Sequence, residues 1–215
     1  VAARDARLDL PGARHISFVR SSMAHAKITG IDASEALSMP GVIAVLTAAD
    51  VDMEPAKPSI PLLNQDMRRP FLAIDVVRFV GDPIAMIISE TKEQGIDAAE
   101  TVVVDYDPLP AVLDVADALT DTTVLFPEAK TNVVFTLPTP ADPSIFANCE
   151  VVVELAIENQ RVAPAPMEVR AAAAVWDGKR LTQWACSQGA HGARDGLAEI
   201  LGIDKANVRV ITPDV

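Results

Sequence analysis

Apolar and polar residues alternate from His15 to Arg20, with Ile16 and Phe18 on one face, so the first predicted element is a half-buried strand. A helix is predicted soon after it. Asp32-Ala-Ser-Glu35 has the spacing of a capping box, Ala36 and Leu37 continue it, and Pro40-Gly41 stops it, because proline lacks the N–H a helix interior needs. Residues 42–46 read as an apolar strand, and the proline-rich stretch 52–69, with little periodicity, as a long surface connection. Two further strand-like runs, 76–80 and 84–89, flank Gly81-Asp82-Pro83, which predicts a turn joining them. Thr91-Lys-Glu-Gln94 is a second capping box. The helix it opens turns Ile96, Ala99, Val102 and Val103 to the core, and Gly95 weakens it by about 1 kcal/mol relative to alanine. A short buried strand at 103–106 closes this block. Strands and helices mix without regular βαβ order, which makes the class α+β.

From 111 to 147 the chain is rich in Pro, Thr and Asp, with short apolar runs at 124–126 and 133–137, and reads as a surface linker between two domains. A strand-rich block follows. Residues 151–157 alternate and predict a strand; 171–176 and 181–186 flank Asp177-Gly178 and predict a hairpin. Helical spacing through Ala193, Leu197, Ile200 and Leu201 runs to a C-terminal cap at Gly202, and 208–211 makes a last strand before Pro213. Ser187-Gln188-Gly189 is then a junction from strand to helix, where side chains and free backbone N–H groups meet at one edge of a sheet.

Composition narrows the function classes. The chain has 215 residues, 50% of them apolar, enough for a real core in one large domain or two. A net charge of −12 without a Lys/Arg cluster argues against a nucleic-acid or anionic-membrane partner, since both need a basic face. The two cysteines, Cys149 and Cys186, lie far apart, with no CxxC and no histidine at ligand spacing. An iron–sulfur cluster or structural zinc site built by this chain is therefore not expected, and a reducing compartment is. No apolar run approaches the roughly 20 residues of a membrane span, and the start resembles no signal peptide. A soluble, cytoplasmic protein is expected, trimmed at its start, where Val1 stands in place of Met.

Ala185-Cys-Ser-Gln-Gly189 resembles the small-x-Ser-x-Gly elbow of serine hydrolases, and its context is right. Its partners are missing. Such a hydrolase places acid and histidine after the serine, whereas the one later histidine, His191, is tied to the same turn, and a Cys186/His191 pair has no third group to orient the base. Glu168 stands in an apolar setting, where a salt bridge with Arg161 or Arg170, or a backbone hydrogen bond, accounts for it more simply than catalysis. His15 and His25 read as core or surface residues, and His191 as a helix-start residue. Gln188 differs in kind: a neutral amide donates and accepts, so it can orient an oxygen-rich ligand without changing local charge.

Three stretches then resemble one family. Phe18-Val-Arg-Ser-Ser-Met-Ala-His-Ala-Lys-Ile28, Val77-Arg-Phe-Val-Gly-Asp-Pro-Ile-Ala85 with Val104-Asp-Tyr-Asp-Pro-Leu-Pro110, and Asn159-Gln-Arg-Val-Ala-Pro-Ala-Pro-Met-Glu-Val-Arg170 are similar, in this order, to the front half of molybdenum hydroxylase large subunits. That family includes xanthine dehydrogenase, aldehyde oxidase and aerobic carbon monoxide dehydrogenase. Ser187-Gln-Gly-Ala-His-Gly-Ala-Arg194 continues the match. Local departures are Ser21-Ser-Met-Ala-His-Ala26, where many members have Ser-Pro-His-Ala-His-Ala, and Val169, where proline is usual.

The resemblance implies an α/β hammerhead domain at residues 14–112, a linker at 113–130, and at 131–215 an incomplete first part of the molybdopterin-binding domain. It implies that Gln188 lies beside the molybdenum and hydrogen-bonds an oxo ligand, while Glu168 and Arg170 give structural support. No residue of this chain is expected to ligate the metal. The glycine-rich cofactor loop and the catalytic glutamate are expected outside it. The cofactor implied is molybdopterin, in its cytosine dinucleotide form, shared with another chain; the partners implied are that chain, an iron–sulfur subunit and an FAD subunit. The function implied is the front part or split subunit of an enzyme that inserts water-derived oxygen into an aldehyde, an N-heterocycle or CO. The alternative is a non-catalytic hammerhead module for assembly.

Overall fold

The computed structural model describes residues 10–137, 142–160, 162, 163, 165, 167 and 170–212. Contacts divide the chain into two compact units, Val1–Phe135 with Ala198–Gly202, and Thr136–Leu197 with Ile203–Val215. The first unit contains β1 (His15–Arg20), β2 (Ala26–Asp32), α1 (Ser34–Ser38), β3 (Val42–Thr47), β4 (Val76–Val77), β5 (Pro83–Ser89), α2 (Lys92–Thr101), β6 (Val103–Pro108) and α3 (Val115–Leu119). Its strands form two antiparallel sheets, ordered β1-β5-β3 and β4-β2-β6.

β1 occupies the expected residues but turns its other face inward. Ile16 and Phe18 share a face that is 56% and 42% exposed, while Val19 on the opposite face is buried with Ala36, Ala85, Ile87 and Ala98. The approach of α2 decides this. Gly95 and Ala98 are the buried residues of that helix, and Ile96 and Val103, expected in the core, are 45% and 58% exposed. A Cβ on Gly95 would come within 2.6 Å of Ser89 Oγ and 2.7 Å of Ser17 Oγ, so the bare backbone lets the helix sit down on β1 and β5. The capping box of α2 is present: Thr91 N–H donates to Gln94 Oε1 (3.0 Å) and Gln94 N–H to Thr91 Oγ1 (3.3 Å). The one expected at Asp32 is not. Asp32 ends β2, and its carboxylate accepts the Ser34 N–H (2.9 Å), leaving Ala33 as the cap.

The expected hairpin around Gly81-Asp82-Pro83 is also absent. β4 pairs with β2, whereas β5 lies between β1 and β3 in the other sheet. Gly81, at φ +97°, and Asp82 are fastened to Ser21 instead: Gly81 N–H donates to Ser21 O (2.7 Å) and Ser21 N–H to Asp82 O (2.9 Å). Thus the turn chemistry is there, but it joins two sheets rather than two paired strands. β2 itself went unforeseen because the register shifts between Ile28 and Gly30, which interrupts its alternation.

The proline- and threonine-rich stretch after β6 is fastened as well. Asp114 caps α3 by accepting the Ala116 N–H (2.7 Å). The Asn132 side chain accepts from Leu125 N–H (3.0 Å) and donates to Ala118 O (3.1 Å) and Thr123 O (2.8 Å). Replacing Asn132 with alanine strands those groups and is expected to cost about 2 kcal/mol locally, read as faster amide exchange around Leu125. Unchanged exchange there would contradict the clamp.

The second unit holds β7 (Ala172–Trp176), β8 (Leu181–Ala185), α4 (Ala190–Leu201) as far as Leu197, and β9 (Val208–Ile211), with sheet order β7-β8-β9. The hairpin is as expected. Gly178 takes φ +96°, and Asp177 Oδ1 accepts the N–H groups of Arg180 (2.7 Å) and Lys179 (2.9 Å), which hold its carboxyl below the ordinary aspartate value. β8 and β9 run parallel, joined through α4. Ile200 and Leu201, which carry the helical spacing, are 38% and 43% exposed. Residues 151–157, expected to form a strand, enter none of the three sheets. A strand needs a ladder partner, which alternation alone does not supply.

Candidate functional site

A crossover between parallel strands leaves β8 at the strand's C-terminal end and opens a helix there, which is where α/β units present ligand-binding groups. Here the turn is Cys186 to Gly189. Gly189 N–H donates to Ser187 Oγ (3.1 Å), and Gly189 O accepts the Ala193 N–H (3.1 Å), the bond that starts α4. The Ser187 hydroxyl is therefore engaged in shaping the turn, in keeping with its rejection as a nucleophile. Gln188 projects from this turn, exposed to solvent. The first N–H groups of α4 lie beyond it and, like those of any helix, have no carbonyl a turn earlier to accept them.

The other strand end adds a group the sequence did not flag. Register places Ile211 beside Trp184, so Thr212 lies just past the sheet at the edge where β8 turns into the junction. Thr212 Oγ1 is buried without a hydrogen-bond partner. A hydroxyl after an apolar strand is too common a pattern to single out in sequence; only its burial does so. Leaving such a group unmade costs about 1–3 kcal/mol, which a ligand or partner chain at this edge would recover.

Around the start of α4 the charge reverses relative to the acidic whole. Arg180, His191, Arg194 and Arg209 line a cleft of about 240 Å3 with Ala190 and Val210. Arg194 is held by Asp195 through Nε (2.9 Å) and Nη2 (2.7 Å), and this contact keeps the Asp195 carboxyl below its ordinary value. Gly189, Gly192 and Gly196 line this part of the chain, and a Cβ on any of them would meet nothing within 4 Å. Glycine weakens a helix, so packing inside the chain gives no reason for Gly192 or Gly196.

The other candidates fall elsewhere. His25 is buried in the first unit, with Nδ1 2.6 Å from Pro110 O, a structural role. His15 lies on β1 and is exposed. Glu168, Arg161 and Val169 lie outside the described residues; Arg170 is exposed. Among the described residues no group of three His, Cys, Asp or Glu side chains could hold a metal, and no helix is long and apolar enough to cross a membrane. The donors at the junction are amide, hydroxyl and backbone N–H groups, beside an arginine-lined cleft. Such a set fits an oxygen-rich, anionic organic cofactor that carries its own metal ligands, and does not fit a bare ion.

Comparison with known proteins agrees with that chemistry. Residues 6–110 match the family model described as the aldehyde oxidase and xanthine dehydrogenase a/b hammerhead domain, and residues 125–215 match the molybdopterin cofactor-binding domain. The large subunit of nicotine 6-hydroxylase from Paenarthrobacter nicotinovorans is 36% identical over 96% of this chain and 26% of its own length. The carbon monoxide dehydrogenase large chain of Hydrogenophaga pseudoflava is 34% identical over 97% of this chain and 28% of its own. Among solved structures, quinoline 2-oxidoreductase from Pseudomonas putida superposes with a TM-score of 0.82 at 32% identity, covering 97% of this chain and 27% of that one. CO dehydrogenase from Oligotropha carboxidovorans gives 0.83 at 30% identity, covering 97% and 28%. The chain thus spans little more than a quarter of the length of these relatives. With a hammerhead domain, a molybdopterin-binding segment and relatives of this kind over nearly all its residues, the chain belongs to the molybdenum hydroxylase large-subunit family.

Proposed function

We propose that this chain is the front part, or a split subunit, of a molybdenum-dependent hydroxylase or dehydrogenase and that it is not catalytic alone. Residues 14–112 are the hammerhead domain, 113–130 the connection, and 131–215 the first part of the molybdopterin-binding domain. The cofactor is molybdopterin as the cytosine dinucleotide, shared with the polypeptide that completes this domain; an iron–sulfur subunit and an FAD subunit carry electrons away, in the cytoplasm. What supports this is that the exposed Gln188 amide and the Thr212 hydroxyl, buried without a hydrogen-bond partner, both follow the C-terminal ends of neighbouring parallel strands, β8 and β9. When bound, the cofactor supplies a molybdenum centre that accepts electrons from a carbon to which water-derived oxygen is added.

The chain's own contribution is binding and orientation. Gln188 offers a neutral donor to the cofactor, and Thr212 offers a hydroxyl that would otherwise remain without a partner. The arginine-lined cleft beside the start of α4 favours an anionic approach. A base for the reacting oxygen and a closed cavity must come from elsewhere, because an exposed turn excludes no water.

Native mass spectrometry with metal analysis on the protein from its source cell tests this. A complex containing this chain, a second molybdopterin-binding polypeptide and molybdenum is expected. A complex lacking both would overturn the proposal.

A further inference from the structure

We infer that Ser187 is a positioning residue, whose hydroxyl fixes the direction in which Gln188 presents its amide to the cofactor; this rests on the function proposed above. Gly189 N–H donates to Ser187 Oγ (3.1 Å). The ring closed by that bond runs through the whole backbone of Gln188. Both soft torsions of that residue, φ and ψ, therefore lie inside the ring and cannot turn independently. The direction of the Gln188 Cα–Cβ bond is thus set by the hydroxyl of the residue before it.

Gln188 depends on this tie more than a packed side chain would. Its amide is exposed and makes no hydrogen bond among the described residues, which leaves its backbone to aim it. Sterics give no guide at the next position either, because Gly189 lacks a Cβ and one built there would meet nothing within 4 Å. The ends of the turn are held: β8 stops at Ala185, and Gly189 O accepts the Ala193 N–H (3.1 Å) in the first turn of α4. Between those anchors the chain bends at Gln188, and the Ser187 hydroxyl spans the bend. Threonine could supply the same acceptor; alanine supplies none.

Steady-state kinetics, molybdenum content and amide exchange of the molybdenum-loaded complex test this. Ser187→Ala is expected to lower kcat about tenfold, because the Gln188 amide is still present but misdirected. KM and molybdenum content should stay within about twofold of the parent's, since nothing that binds substrate or metal has been removed. The Gly189 amide, deprived of its acceptor, should exchange about fivefold faster or more. Ser187→Thr keeps the oxygen and should restore both kcat and exchange. In a Gln188→Ala background, Ser187→Ala should lower kcat no further, because the hydroxyl acts through the amide. Parental kcat in Ser187→Ala, beside a loss in Gln188→Ala, overturns the inference and leaves the proposed function standing. So does an equal loss with Gln188 already removed, which would make the hydroxyl act directly, and so does a loss of molybdenum, which would make it structural. Parental turnover in Gln188→Ala at full molybdenum content, or recovery of no molybdenum-containing complex, removes the reading on which the inference rests, and the inference with it.

Discussion

Replacing Gln188 with alanine is expected to lower turnover of the molybdenum-loaded complex by about 100-fold or more while assembly, metal content and stability stay as they were. The size follows from losing one positioned donor in a site closed from water, an effect of about 2.7–4 kcal/mol in well-studied cases. The selectivity follows from this structure. Gln188 is exposed on a turn whose shape rests on Ser187 Oγ and the Gly189 backbone, so removing its side chain takes nothing from the fold of the chain itself. Surface changes of that kind are usually within about 0.5 kcal/mol. The measurements are kcat and KM for the complex, beside its mass and molybdenum content. Turnover equal to the parent's, with full molybdenum, would instead favour a hammerhead module that serves only assembly.

The second large effect has a sign opposite to helix propensity. On propensity alone, Gly95→Ala should stabilise α2 by about 1 kcal/mol. The close approach of Ser89 Oγ at 2.6 Å and Ser17 Oγ at 2.7 Å makes the expected result a net loss of about 1–2 kcal/mol, since both serines belong to strands that α2 is packed against. Ser89 is fully buried, and its hydroxyl donates to Thr91 O (2.7 Å), so it has little freedom to turn aside. Gly95→Val should cost more, about 3 kcal/mol or beyond. Denaturant unfolding of the full chain measures both. Adding Ser17→Ala removes one of the two oxygens and should recover part of the loss, a coupling that a double-mutant cycle isolates. A Gly95→Ala variant more stable than the parent would refute the contact.

Local chemistry was legible where it is self-contained. Thr91 and Gln94 cap each other from three residues apart, and Asp177 closes its own turn, so neither depends on distant chain. What failed to read through was set by partners far away in sequence. Alternation in β1 put Ile16 with Phe18 correctly but not which side α2 would cover, because that depends on Gly95 and Ser89, more than seventy residues on. Gly81-Asp82-Pro83 has hairpin chemistry, yet its neighbours pair with β2 and with β1 and β3, since burial in two sheets outweighs the convenience of one turn. Residues 151–157 have the pattern of a strand and no ladder within the described chain. At the site, Gln188 stood out by its place between strand and helix, whereas Thr212 became visible only once its hydroxyl proved buried and unmatched.

The two sheets of the first unit take their strands in strict alternation: β1, β3 and β5 go to one, β2, β4 and β6 to the other. No strand pairs with its immediate successor, and the closure from β1 to β5 spans residues 15 to 89. Neither sheet can zip up from a local hairpin, so the chain must meet the entropy of large loops before pairing rewards it, which makes for slow folding. On the ribosome, β1 and β2 would emerge long before β5 and β6 exist to cover them. For that interval their edges are open to neighbouring chains, an exposure that follows from the order of the strands alone.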